Sequence, residues 1–497
     1  MNIKLYMLLM LLQTYTKFGD WQKRFLYLTI IFNNYHMFSI STYVMRRAQL
    51  MERVKTGLLL FPGNQESSMN YLDNTYRFRQ DSTFLYYFGF HDRSGLTAVI
   101  DADAGTSTVY GEDLTIDDIV WTGPMPTIKE QAARAGITYT GTTKELVNTL
   151  SEAIKKGRKI HYLPSYRPEH TLKYYHWLGI EPQAQNERIS LDLVRAVVDQ
   201  RNIKTDEEIV LLDKAAAISM DMHVAGMKAV QPGMKEYEIA AIMHKTALEN
   251  NCQLAFPIIC SVRGETLHNH YHGNTMEAGQ MLLMDAGAEL PQGYCGDISS
   301  TVPVSGTFTP RQQLIYDIVE ASHIAAVEEL RPGKSFKEIY YTSCRTIVEG
   351  LKDLGLMKGN TEEAVQEGAH ALFFPCGLGH MMGLDVHDME NLGEVWVGYD
   401  GEPKSTQFGI KSLRLGRPLE PGFVLTIEPG IYFIPSLIDL WASKKHLDSF
   451  INYARVMEWK DFSGIRNEED YVITAEGKRL LGKREEKDRL CAGYRSL

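Results

Sequence analysis

The sequence has no basic excess, few cysteines and no long apolar run, and each absence removes a class of function. Its 52 Lys and Arg residues stand against 62 Asp and Glu, a formal charge of −10, with no Arg/Lys-aromatic stripe. Nucleic acid is therefore not expected as a partner. Six cysteines, Cys252, Cys260, Cys295, Cys344, Cys376 and Cys491, are scattered without a C-x-x-C pair. That excludes a disulfide framework, and free thiols point to a reducing, cytoplasmic setting. The apolar runs Leu5–Leu12 and Phe25–Phe32 are too short to span a bilayer, so no stable membrane span is expected.

What is present is an ordinary globular composition, 44% apolar and 23% charged over 497 residues, enough for two or three domains. Residues 1–36 read as a non-native or signal-like extension, because Lys17, Asp20, Lys23 and Arg24 interrupt the apolar runs and no small-x-small cleavage site follows promptly. Residues 37–198 read as an α/β domain. A helix leads into GLLLF; STFLYYF, GLTAVID and KIHYL are expected as further strands, with helices near 129–135 and 143–156. This domain holds no phosphate loop, nucleophile elbow or metal-spaced His or Cys. Residues 199–483 form a second domain and 484–497 a charged tail.

The second domain contains a duplication. EAGQMLLMDAG (277–287) and EPGFVLTIEPG (420–430) share a Glu-x-Gly, an apolar run and an acid-x-Gly, which makes Asp285 and Glu428 equivalent. Upstream, AVQPGMKEYEI and ELRPGKSFKEI align on Pro, Gly, Glu and Ile, and capping boxes at Thr205/Glu208 and Thr309/Gln312 open the first helix of each half. Asp297 lies twelve residues beyond Asp285 across a Gly- and Pro-containing turn, so two antiparallel strands can aim both carboxylates at one point. Glu468 precedes an apolar strand, and His380 sits in the Gly-rich GLGHMMGLDVHD. Four carboxylates and one imidazole suit two divalent ions of the Mn or Co type better than a lone structural Zn. Four negative charges also match two dications, whereas crowded acids without metal would repel.

GLGHMMGLDVHD, TIEPGIYF, LLMDAGAE with its later Asp, and GIRNEEDYVIT resemble the motifs of the pita-bread metallopeptidases, most closely the aminopeptidase P group. The resemblance covers about 199–482 and implies an α+β pita-bread C-terminal domain with an internal pseudo-two-fold repeat, behind a creatinase-like α/β N-terminal domain. It implies that Asp285 binds one metal, His380 and Glu428 the other, and that Asp297 and Glu468 bridge them; Mn2+ is the expected ion, with Co2+ or Zn2+ as substitutes. A water bridging two such cations would be the attacking hydroxide. His270 matches the substrate-facing histidine, with His268 and His272 as alternative registers. His387 matches a substrate-binding, proton-transferring histidine, Arg466 would orient Glu468 or relay protons, and Glu428 would double as proton acceptor. Cys376 stands where many relatives carry a pocket histidine. Two excursions, 391–419 and 435–462, are expected to line or cover the cleft. The implied activity is release of the N-terminal residue from peptides with proline second, by a homodimer or higher homo-oligomer. The alternatives are a prolidase acting on Xaa-Pro dipeptides, a metal-free binding module and a creatinase-like hydrolase, the last two opposed by the five ligand residues.

Overall fold

The computed structural model describes residues 38–483, so the expectations for 1–36 and 484–497 lie outside the described residues. The chain divides into two compact units between Ile160 and His161. The first carries helix α1 (Ile40–Val54), β1 (Leu58–Pro62), α2 (Ser82–Phe88), β2 (Thr97–Asp101), β3 (Thr106–Tyr110), α3 (Ile116–Thr122), α4 (Ile128–Arg134), β4 (Tyr139–Gly141) and α5 (Thr143–Lys155). The strands form one sheet in the order β4-β3-β2-β1, closed beside β1 by the short β5 (Ile160–His161). All five residues of β1 are buried.

STFLYYF, expected as a strand, is helix α2. All seven of its residues are buried, so no exposed position reveals the period, and a fully buried run reads alike for either element. Its ends decide the matter. Asp81 caps the first turn by accepting from the Phe84 amide at 2.8 Å, and Gly89 ends the helix at φ +73°. Arg46 and Arg47 of α1 then donate to the Tyr86 and Tyr87 carbonyls at 3.0 and 2.8 Å, satisfying groups the last turn leaves open.

In the second unit α6 (Pro168–Leu178) and α7 (Leu191–Asn202) precede the long α8 (Asp206–Ala229) and α9 (Glu236–Glu249). Strands β6 (Gln253–Leu254), β7 (Ile259–Ser261), β8 (Met281–Ala286), β9 (Ala288–Glu289) and β10 (Ile298–Pro303) complete the first half. The second half repeats the plan with α10 (Pro310–Glu328) and α11 (Phe336–Asp353), then α12 (Thr361–Gln366), α13 (Glu394–Tyr399), β11 (Val424–Ile427), β12 (Gly430–Tyr432), α14 (Pro435–Ser443), α15 (Tyr453–Met457), β13 (Gly464–Arg466), β14 (Glu469–Ile473) and β15 (Lys478–Leu480). Both expected capping boxes are formed.

Pairing brings the acids together. β8 and β10 run antiparallel with Asp285 opposite Ser299, which leaves Asp297 just beyond the next pair. β11 pairs with β14, so Glu428 follows the end of one strand and Glu468 precedes the start of its neighbour. The halves are joined where the Glu468 amide donates to the Ser299 carbonyl at 3.1 Å. Among the described residues no helix is long and apolar enough to cross a membrane.

Candidate metal centre

Asp285, Asp297, His380, Glu428 and Glu468 all line one cavity of about 700 Å³, a size suited to a small peptide. One oxygen each from Asp297 and Glu468 and one nitrogen of His380 lie within 4.8 Å of one another. His380 Nε2 is 3.5 Å from Asp297 Oδ2 and 3.6 Å from Glu428 Oε1.

The loop that carries His380 is laid against β11. His380 N donates to Thr426 Oγ1 at 3.2 Å, and Thr426 N and Glu428 N return bonds to the His380 and Leu378 carbonyls at 3.1 and 2.8 Å. Gly379 makes this approach possible, since a Cβ there would lie 2.1 Å from the Thr426 carbonyl oxygen. On the imidazole, Nδ1 faces the Met381 carbonyl at 3.1 Å, which assigns the proton to Nδ1 and leaves the Nε2 lone pair toward the acids. Burial, reinforced by His387, holds this ring well below the usual histidine range, so it is neutral.

The carboxylates are charged groups in excess. Burial and then Glu468, Asp285, Asp470 and Glu428 push Asp297 well above the usual carboxylate range. Glu468 is raised by burial, Glu428 and Asp285, and Glu428 by burial ahead of its charged neighbours. Two buried oxygens, Asp285 Oδ1 and Asp297 Oδ1, have no hydrogen-bond partner. Orphaned carboxylate oxygens beside a neutral imidazole suit a hard divalent cation, which removes both the repulsion and the desolvation penalty.

Among the described residues Arg466 is the one buried positive charge in this cluster's wall. It pairs with Asp285, and it donates from Nε to Ser299 Oγ and from Nη1 to Tyr432 Oη, each at 2.9 Å. Ser299 Oγ donates in turn to Glu468 Oε2 at 2.7 Å. Neither Ser299 nor Tyr432 is among the residues singled out from sequence. The signal for Ser299 was available: it lies two residues beyond Asp297, on the same face of an extended chain.

His387 packs against His380 with the rings tilted by 59° and their centroids 4.1 Å apart, and its Nδ1 bonds Glu390 Oε2 at 3.0 Å. Burial would raise Glu390, but His387 and Arg414 hold it down at about 2. His268 and His270 both reach the cavity, whereas His272 Nε2 bonds the Ile258 carbonyl at 2.9 Å. His268 is the histidine on which burial and the nearby Arg466, Asp285 and His387 act, with burial and Arg466 lowering its affinity for a proton. Cys376 also lines the cavity, its thiol pushed up to about 12 by burial and by Glu428. Of the two excursions, 391–419 contributes Glu394, Lys404, Lys411, Ser412 and Arg414 to the wall. The described residues of 435–462 contribute none; Trp459 stacks on Phe433 instead.

Comparison with known proteins places this geometry in a family. Residues 43–162 match the aminopeptidase P N-terminal domain, and residues 210–475 match metallopeptidase family M24. The human Xaa-Pro dipeptidase is 30% identical, covering 89% of this chain and 90% of that protein. A probable Xaa-Pro aminopeptidase of Uncinocarpus reesii is 29% identical over 85% and 86% of the two chains. A zinc-substituted Escherichia coli aminopeptidase P in complex with product superposes with a TM-score of 0.75 at 28% identity, covering 93% of this chain and 100% of that one. A duplicated fold, a carboxylate-rich centre whose donor set suits a divalent metal, and matches that run along both halves of that fold lead to one statement: the chain is an enzyme of metallopeptidase family M24, with the pita-bread architecture of aminopeptidase P.

Proposed function

We propose that the chain hydrolyses the bond between an N-terminal residue and a following proline, using two divalent cations, with Mn2+ preferred over Co2+ or Zn2+. The observation that carries this reading is the convergence of Asp285, Asp297, His380, Glu428 and Glu468 on one cavity. In it Asp285 would hold one ion, His380 and Glu428 the other, and Asp297 and Glu468 both. Bound there, the cations supply Lewis acidity at the scissile carbonyl and lower the pKa of a water they share. The chain's own groups do the rest. Glu428, whose side chain keeps 20% exposure toward the cavity, accepts the proton of the attacking water. His387, with Nδ1 engaged by Glu390, presents Nε2 to the substrate. His270 or its neighbour His268 lies on the same cavity for the departing amine. An Xaa-Pro bond has no N–H to dock and releases a secondary amine that must be protonated, so histidines in reach matter more than a backbone acceptor.

A second reading, an Xaa-Pro dipeptidase, is favoured by the cations of the 391–419 excursion. Lys404, Lys411 and Arg414 line the cavity; Glu390, just before the excursion, and Glu394 within it engage Arg414 and Lys404, and among the described residues no carboxylate pairs with Lys411. A dipeptide places its terminal carboxylate directly after proline, where such a cationic wall would hold it. We further propose a cytoplasmic homodimer. The five free cysteines among the described residues support the first, and α3, none of whose residues is buried and which exposes Ile116, Val120 and Trp121, supports the second.

The test is hydrolysis of Xaa-Pro and Xaa-Pro-Yaa by metal-stripped enzyme with and without Mn2+. Metal-restored tripeptide cleavage is expected for the aminopeptidase; cleavage of dipeptides alone, lost on Lys411→Met, assigns the dipeptidase. No cleavage of either would overturn both.

A further inference from the structure

Between His380 and His387 the chain makes a tight turn whose shape is set from outside the cavity. The Asp388 amide donates to the Met381 carbonyl at 3.0 Å, and the Gly383 amide to the Asp385 carbonyl at 3.1 Å. A Cβ on Gly383 would lie 2.4 Å from Asp388 Oδ2, so this carboxylate packs directly on the turn's backbone. Its two oxygens are each held by a separate cation: Arg201 Nη2 at 2.7 Å from Oδ1, and Lys204 Nζ at 3.0 Å from Oδ2. Arg201 also reaches Asp385 Oδ2 at 3.2 Å.

Arg201, Lys204 and Asp388 are each no more than 4% exposed. Burial would raise Asp388, but Lys204 and Arg201 overcome it and keep the group ionised. Both cations belong to the end of α7 and the residues after it, and the Lys204 amide donates to the Gly422 carbonyl at 2.9 Å, just ahead of β11. One anchor therefore ties α7, the strand leading to Glu428 and the histidine turn. A buried ion cluster adds little net stability once desolvation is counted, yet it admits a single geometry. None of the cluster's members lines the cavity.

We propose that Arg201 and Lys204 are positioning residues for the hydrolysis: by gripping Asp388 they hold the 381–388 turn so that His387 meets the substrate in register. The inference rests on the peptidase reading above and adds to it a dependence on a helix end that touches no substrate.

Metal-loaded Lys204→Met is expected to lose about 10- to 100-fold in kcat, the cost of a misplaced catalytic group, with KM and bound metal little changed. Lys204→Arg, which restores the charge, is expected to recover most of the rate. In a His387→Ala background Lys204→Met should cost nothing further, because the residue through which it acts is gone. Wild-type kcat in Lys204→Met, or a full additional loss in that background, overturns the proposal. Should Lys204→Met fail to fold, Arg201→Lys, which keeps charge but cannot span Asp385 and Asp388, takes its place in the same comparison. A wild-type enzyme inactive on every Xaa-Pro substrate would sink the peptidase reading alone. Crystal structures of the wild type and Lys204→Met would then decide the clamp, with a displaced His387 ring in its favour and an unmoved one against it.

Discussion

At the scale of the residue, the site is a set of acids that one hydroxyl and one guanidinium keep apart. Ser299 Oγ gives its proton to Glu468 and receives one from Arg466, so it ties that carboxylate to the guanidinium and orients it. This yields a graded expectation. Glu468→Ala removes a ligand that both cations would share and should lower kcat/KM by about three orders of magnitude, several kcal/mol of lost charge stabilisation, while the protein stays folded. Ser299→Ala leaves the ligand but frees it, and should cost about 10- to 100-fold, partly recovered at high Mn2+. Steady-state kinetics across a Mn2+ titration separates them. Equal losses in both variants would mean that Ser299 does not act by orienting Glu468.

At the scale of the element, what could be read beforehand was whatever is written locally. The duplicated Pro-Gly turns, both capping boxes and the acid-ended apolar strands appear in the fold as their residues imply, because each is set by neighbours a few positions away. STFLYYF reads as a strand because burial on every side erases periodicity, although Asp81 and Gly89 at its ends carry the helical signal. The register among His268, His270 and His272 stayed open for a different reason. Three histidines at alternate positions of an irregular segment differ only in what packs around them. Nor was the Arg201–Lys204–Asp388 cluster legible, its members being far apart in sequence. The seam between the 377–383 loop and β11 is where these local and distant effects meet. Gly379→Ala would press a methyl group against the Thr426 carbonyl, backbone that cannot step aside. A destabilisation of about 1–3 kcal/mol is expected from overpacking, together with weaker metal retention as His380 is pushed from its seat. Urea unfolding and metal analysis on the same sample test it; loss of stability with metal binding intact would uncouple the seam from the site.

For the whole molecule, the same carboxylates that suit a metal make the metal-free protein sensitive to pH. Asp297, Glu468 and Glu428 are raised above their unfolded values, first by burial, so the folded chain holds protons that the unfolded chain releases. Their contribution to stability is complete below the unfolded pKa of about 4.3 and is lost as pH rises through the folded values. His380 and His370, both lowered by burial and the latter to about 4, act in the opposite sense: their contribution is complete above about pH 6.5 and is lost as pH falls below it. Metal-stripped protein should therefore lose stability as pH climbs from about 4.3 through the folded values of these three acids, against the opposite slope of the histidines below about 6.5, by up to about 1.4 kcal/mol per pH unit for each proton released. Bound divalent cations take the place of those protons, and since ligands bind metal only when deprotonated, stability in saturating Mn2+ should hold or rise over the same range. Urea midpoints measured with and without Mn2+ should diverge as pH increases. Parallel curves would show that the raised acids and the metal ligands are not the same groups, and the assignment of Asp297, Glu428 and Glu468 to the cations would fall with it.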